Sequence, residues 1–438
     1  MSLHRFALTV ALACASTLAI AAGQTPAVVH KPNVAVHAAP DLQSPTVATL
    51  AKDAKVDVTG QQGLWFQVTS TQGNGFVRVN EVRMQYATQA KGNASALFTG
   101  KAGKGRVSET AGVRGIDESD LKSAGYDGAQ FAQLESNRVT PDAAAQDASA
   151  KGHQAKQVAL AGEFKPVADA APKATQKEKR GMFSAARGLL SAVGVGAPAP
   201  VDSAANVAEA SQGKSETEQA EEEAALGPMI AGRVLGAAPL WSDAEAQARV
   251  NRIGRWMASQ TSRPDLPWSF GVIDDGEINA FAAPGGYILI TRGLYQLLET
   301  DDEVAAVIGH ELSHVVQRDH YNVIQKQEQQ SAIQSAASSN VSVGGGIAGS
   351  MAKAYVEQHG ATIMLTSLDR EAEFRADQAA EVYLARSGYD PLALYAVLQK
   401  MTALGSTSGN LAQLYKTHPP LDARLDRLDR SGFASAGR

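Results

Sequence analysis

Cysteine is all but missing from this chain. The only one, Cys14, lies within the first 22 residues, so no disulfide framework holds the fold. Long apolar runs are missing too: beyond the opening segment none reaches about 18 residues, which excludes a multi-span helical membrane protein. There is no massed positive charge either. Forty Lys and Arg against 45 Asp and Glu leave a formal charge of -5, and the cations are scattered, so nucleic acid is not an expected partner. What the chain does have is 44% hydrophobic residues over 438 positions. That is enough for two domains and a connector without covalent staples.

The opening residues read as an address. Met1 to Arg5 is short and basic-tipped, Phe6 to Ala22 is almost wholly apolar, and Ala19-Ile20-Ala21 fits a signal-peptidase site. Residues 1–22 are therefore expected to be an export signal cleaved near Ala21, leaving a soluble periplasmic protein with no transmembrane segment. The alternative is a lipid anchor at Cys14. Ala11-Leu12-Ala13 is a poor lipobox, and the apolar segment runs on past the cysteine.

The chemistry concentrates in His310-Glu311-Leu312-Ser313-His314. A helix turns about 100° per residue, so His310 and His314 share one face and can reach one ion, a normal arrangement for zinc. Glu311 projects beside them as a carboxylate base for a water held at the ion. The surroundings read as helix: Thr300-Asp301-Asp302-Glu303 forms a capping box ahead of Val304, Val307, Ile308, Leu312, Val315 and Val316. Ala306, Gly309 and Ser313 are small enough to admit an ion and a second helix.

A catalytic zinc keeps three protein ligands and an open position. Candidates lie downstream on a helix containing Arg370 to Asp377, with Ser367 as a possible cap and Gly388 as terminator. Glu373 and Asp377 share a stripe with Ala376, Ala380 and Leu384. Buried there, two acids need a cation or hydrogen-bond partners. Exposed, they are an ordinary acidic face balanced by Arg370 and Arg375.

Three segments together resemble one family: His310 to His314, Glu373-Phe374-Arg375-Ala376-Asp377, and Asn279 to Tyr287. Over roughly residues 226–430 the chain is similar to the HtpX and CAAX-prenyl-protease family of zinc metallopeptidases, in particular its soluble periplasmic branch. The resemblance implies a mainly helical gluzincin with a small sheet, one Zn2+ per chain on His310, His314 and Glu373, and Asp377 supporting a ligating histidine from behind. It also implies an edge strand that binds extended substrate. Asn279 to Ala282 and Tyr287 to Thr291 read independently as a hairpin around Pro284-Gly285-Gly286, which puts Gly285, Gly286 and Tyr287 forward as substrate-binding backbone. Thr417-His418-Pro419-Pro420 and Arg424 resemble the family's late His-Pro and Arg pattern. His418 either stabilises an oxyanion or caps the helix beginning near Pro420.

His320, six residues beyond His314, falls about 240° around a continuous helix and should point away from the ion. Family members often carry a histidine where this chain has Asp319, to which no role is assigned. His359 is expected to be exposed.

Upstream, residues 27–86 alternate short Val-rich strands with turns: Val34 to His37, Val47 to Leu50, Val56 to Thr59, Trp65 to Val68 and Phe76 to Val79. They resemble a small all-β, bacterial SH3-like barrel. Such modules dock cell-wall peptides or partner proteins, although this one can equally be a spacer or pack on the peptidase, with Trp65 and Phe66 as core. Residues 87–225 read mostly as low-complexity linker with possible short helices, one within Gly115 to Leu134 and one starting near Glu216. Ser242 to Glu245 is a second capping box. Gly344 to Gly346 permit either hinge motion over the cleft or a plain connector. The expectation is a multidomain, exported zinc endopeptidase for unfolded or misassembled envelope proteins. The alternatives are a zinc-retaining chaperone or scaffold, and a cell-wall-targeting protein led by the SH3-like domain.

Overall fold

The structure, a computed structural model, describes residues 24–85, 116, 118–166, 214–327, 368–405 and 411–433. The signal segment, Cys14, Lys173 to Arg180, Gly344 to Gly346 and His359 lie outside the described residues.

Seven strands come first: β1 (Thr25–Val29), β2 (Val34–His37), β3 (Thr46–Leu50), β4 (Lys55–Gln62), β5 (Trp65–Ser70), β6 (Gly73–Arg78) and β7 (Val82–Met84). They form one antiparallel sheet in the order β3-β2-β6-β5-β4-β1-β7. Period-two alternation drives it, burying Val34 and Val36, Val56 and Val58, and Phe66 and Val68 on one face. Gly75 is required where β6 crosses β2, because a Cβ there would sit 2.3 Å from the His37 carbonyl. The five expected strands are present. β1 and β7 are additional, and β7, at three residues, is too short to signal itself. Trp65 and Phe66 are both core, with Trp65 between the His37 ring edge and the Arg78 guanidinium.

The stretch expected to be linker is partly built into the second domain. Helices α1 (Glu118–Ser123), α2 (Gly128–Ser136) and α3 (Pro141–Ala150) lie within it. Asp127 caps α2 and Thr140 caps α3, with Pro141 in the first turn. Leu134 is fully buried, Ala144 and Ala148 join the main core, and Glu163 pairs with Arg386 at 2.9 Å. An alanine-rich helix looks like linker because it lacks large apolar residues; the same small side chains let it pack closely.

Helix α4 (Glu216–Ala237) opens on a complete Ser215–Glu218 capping box, so the second domain begins before residue 226. After α5 (Ala244–Ala258) come β8 (Ser269–Ile273), β9 (Ala280–Ala283), β10 (Tyr287–Thr291) and α6 (Arg292–Leu297). The cap of α5 is Asp243, one residue later than expected. The small sheet is mixed: β10 is central, parallel to β8 and antiparallel to β9, and among the described residues β9 is one edge while β8 is the other, met by a single bridge from Leu240. Among the described residues, four helices complete the domain: α7 (Asp301–Val316), α8 (Arg370–Ser387), α9 (Ala393–Leu404) and α11 (Leu421–Leu428), with the short α10 (Ala412–Thr417) before the last. Helix α7 is the centre, buried from Glu303 through Val316. Gly309 lets α8 approach, since a Cβ there would already touch Ala380 at 3.3 Å. Among the described residues, no helix is long and apolar enough to cross a membrane.

Candidate metal centre

The cap of α7 fixes the phase on which the site depends. Thr300 accepts from the Glu303 amide at 3.2 Å, while the Glu303 carboxylate turns to the Glu299 amide and Lys400 instead of closing the expected box. Two turns on, His310 and His314 meet with their Nε2 atoms 3.2 Å apart. Helix α8, capped by Asp369 instead of Ser367 and ended by the left-handed Gly388 (φ 82°), delivers Glu373 opposite them. The Glu373 carboxylate lies 3.5 Å from His310 Nε2 and 3.7 Å from His314 Nε2. One ligand atom from each of the three residues falls within 4.8 Å of the others, and all three side chains are buried.

Each histidine is oriented from behind. Asp377 accepts from His310 Nδ1 at 2.9 Å and is itself held bidentately by Arg424, at 2.6 and 2.9 Å. Asp319 accepts from His314 Nδ1, also at 2.9 Å. With both Nδ1 edges held by carboxylates, both Nε2 atoms are aimed into the site, where a metal would displace any proton they carry.

The electrostatics ask for a cation. Burial and Arg424 would each lower the His310 imidazole, yet Asp377 and Glu373 outweigh them and lift it to about 9. Burial would raise Glu373, but His418, His310 and His314 hold it well below the usual carboxylate range. Glu373 Oε2, fully buried, has no hydrogen-bond partner. Two facing imidazole nitrogens and an orphaned carboxylate oxygen are short of positive charge, and nitrogen and oxygen donors in a His2Glu set suit zinc. Glu311, not among the three, lines the cleft beside them, its carboxyl raised by burial.

Asn279 to Ala282 of the edge strand, Leu368, Thr417, His418 and His320 line the same cleft. Three sequence expectations change here. The backbone facing the cleft is that of β9; Gly285 and Gly286 form the turn against α4 and Trp268, and Tyr287 is buried in the central strand with its hydroxyl toward Arg138. The hairpin was right but its open side was misassigned, because sequence does not say which strand of a pair is covered by a third. His418 does not cap α11, whose N-terminus has no side-chain cap; its Nε2 lies 3.5 Å from Glu373 Oε2 and its Nδ1 bonds the Thr417 hydroxyl. His320 does not point away. Helix α7 ends at Val316 and Arg318 turns left-handed (φ 61°), so the phase count fails and the His320 ring comes within 5.8 Å of His314.

That same turn supplies Asp319, which sequence reasoning missed. Its signal was present in principle, an acid at the position where the family often has histidine, but continuous helical phase would aim it elsewhere.

Two histidines one helical turn apart, a glutamate between them and a second glutamate from another helix define the class of glutamate-ligated metallopeptidase centres. Residues 244–431 match peptidase family M48, and residues 32–82 match a bacterial SH3 domain. The chain is 28% identical over 246 residues to the beta-barrel assembly-enhancing protease of Escherichia coli (strain K12), covering 54% of this chain and 50% of that protein. It is 29% identical over 171 residues to the metalloprotease LoiP of the same organism, covering 38% of this chain and 65% of the relative. Similarity extends to the mitochondrial metalloendopeptidase OMA1 of Schizosaccharomyces pombe, 25% over 180 residues, 41% of this chain and 51% of the other. The chain thus spans about half the length of the first of these relatives.

Proposed function

We propose that this chain is a zinc-dependent endopeptidase, with His310, His314 and Glu373 as ligands and Glu311 as general base. The observation that carries the reading is the convergence of those three ligand groups with an unpartnered Glu373 oxygen among them. When bound, zinc supplies Lewis acidity toward a scissile carbonyl and makes water acidic enough to yield a nucleophile near neutral pH. Glu311 takes the proton of the attacking water and hands it to the leaving amine. Its raised carboxyl fits a group that must be proton acceptor and then donor. Asp377 and Asp319 keep both imidazoles aimed, each holding the Nδ1 edge so that Nε2 faces the site. His418, whose imidazole burial pushes down to about 3, reaches the cleft as a neutral donor for the oxyanion.

The unpaired edge of β9, which lines the cleft, offers main-chain groups to an extended peptide, so recognition rests on backbone and favours unfolded segments. The relative named as a beta-barrel assembly-enhancing protease supports unfolded or misassembled envelope proteins as substrates, and the apolar opening segment supports a periplasmic address.

Glu311→Gln separates catalysis from scaffolding. Metal content should stay at one per chain while casein cleavage falls about 10²–10⁴-fold, and Glu373→Ala should lose the metal itself. Undiminished cleavage by Glu311→Gln rejects the mechanism. A chelator-resistant protein with no stoichiometric metal rejects the site.

A further inference from the structure

The bacterial SH3 sheet has an open edge at β7, and the peptidase domain closes it. Among the described residues β7 pairs only with β1, leaving the outward amide of Met84 and carbonyl of Val82 without a strand partner. Gln399, on α9 and fully buried, meets them. Its Oε1 accepts from the Met84 amide at 3.0 Å, and its Nε2 donates to the carbonyls of Val82 and Val79. All three partners are SH3 backbone groups, so an SH3 domain shifted on this surface without an equivalent set of backbone partners would leave the amide buried and unbonded.

The contact continues on both sides of Gln399. Arg83 reaches Asp426 and Asp429 and lies 5.0 Å over the Tyr395 ring, and His30 pairs with Asp429 at 2.9 Å. Val79, Val82 and Met84 share one apolar cluster with Tyr395, Leu398 and Met401. Next to Gln399, the equally buried Lys400 pairs with Glu303 at 2.8 Å, and the other Glu303 oxygen accepts from Gln61 of β4 at 3.0 Å. Glu303 lies in the first turn of the metal helix.

We propose that the ligand of this SH3 domain is the peptidase domain of its own chain, gripped through the β7 edge by Gln399. The domain is then a fixed brace on the start of the metal helix through Gln61 and Glu303. That edge is not available to cell-wall peptides. A buried amide whose every partner lies across the interface marks a surface evolved to stay closed, unlike the polar, wet surface of a tethered module.

The test uses the full chain with a protease recognition sequence substituted within residues 92–104. After cleavage, the piece carrying residues 24–85 should co-elute with the peptidase in size exclusion, and the Met84 amide should remain slow to exchange. Gln399→Ala should speed Met84 exchange about 10- to 100-fold and release the piece after cleavage. Gln61→Ala, at the rim, should leave the pieces together while loosening amides in the first turn of α7. Separation of the cleaved wild-type pieces as two folded species overturns the proposal, as does Met84 exchange at the rate of an unpaired edge. Gln399→Ala pieces that stay together with Met84 still protected would remove Gln399 from the role.

Discussion

The two histidines of the candidate metal centre are held by unlike means. His310 is oriented by Asp377 from a helix some sixty positions downstream in the chain, and Asp377 is clamped by Arg424 from yet another helix. His314 is oriented by Asp319, five residues on, by means of a single left-handed residue at Arg318. One side is assembled by the tertiary fold. The other is assembled by a turn, which is in turn pinned where Arg318 reaches the buried Glu223 of α4 at 2.6 Å. The two carboxylate–imidazole distances are the same, so difference in support, not in bond geometry, should decide how each side responds to damage.

The largest effect should come from the assembled side. Asp377→Ala removes the carboxylate from His310 and strands Arg424, which is 3% exposed, without its bidentate partner. Breaking a buried pair from one side costs about 3–5 kcal/mol of stability, and losing a carboxylate behind a ligating histidine costs about 10–100-fold in metal affinity. Thermal unfolding and competitive zinc titration should both move. A variant with wild-type stability would mean that Arg424 finds another acceptor and that the assembled side is no more dependent on its parts than the local one.

The same contrast decided what could be read from the sequence. His310, Glu311 and His314 were legible because a helix has one period and a buried helix announces itself. Glu373 and Asp377 were legible only through resemblance, since on their own an acidic stripe is as well explained by solvent. The Val-rich strands of the SH3 domain and the hairpin of β9 and β10 followed from alternation and turn residues. What failed was whatever depends on where a period stops. Arg318 breaks the helix without Gly or Pro, so His320 is expected on the wrong face and Asp319 is given no role. α3 was lost to linker because burial there comes from alanine contact with α5, which composition does not reveal.

A middle-sized effect belongs to Glu381, one turn beyond Asp377 on the assembled side and 2% exposed. Burial raises its carboxyl to about 8, against a lowering hydrogen bond from Ser431, with Asp377 and Asp429 adding to the rise. The folded state therefore keeps a proton that the unfolded chain releases near its ordinary value of 4.5. Stability from this group is highest at or below about pH 4.5 and is lost as pH rises toward about 8, by something on the order of 5 kcal/mol. Melting curves at pH 5 and pH 8 should show that loss in the wild type and a smaller one in Glu381→Gln. Equal pH dependence in the two proteins would remove Glu381 from the account.

The smallest effect, and the sharpest for the comparison, is Asp319→Asn. Asparagine keeps an oxygen that can accept from His314 Nδ1, and the arginine beside the lost charge, Arg375 at 3.6 Å, is mostly exposed. Nothing buried is stranded, so unfolding should move by less than about 1 kcal/mol, while zinc affinity falls about tenfold, the low end for a group behind a ligand. Arg318→Gly would then separate the carboxylate from the turn that delivers it. Glycine accepts a positive φ without strain, so it preserves the path of the chain, but it gives up the ion pair with Glu223 that pins it. If Asp319 acts from a turn that is held rather than merely permitted, this second variant should weaken zinc binding although it touches neither histidine nor carboxylate. If zinc affinity is unchanged, the backbone conformation alone suffices, and the local side owes nothing to the buried arginine pair behind it.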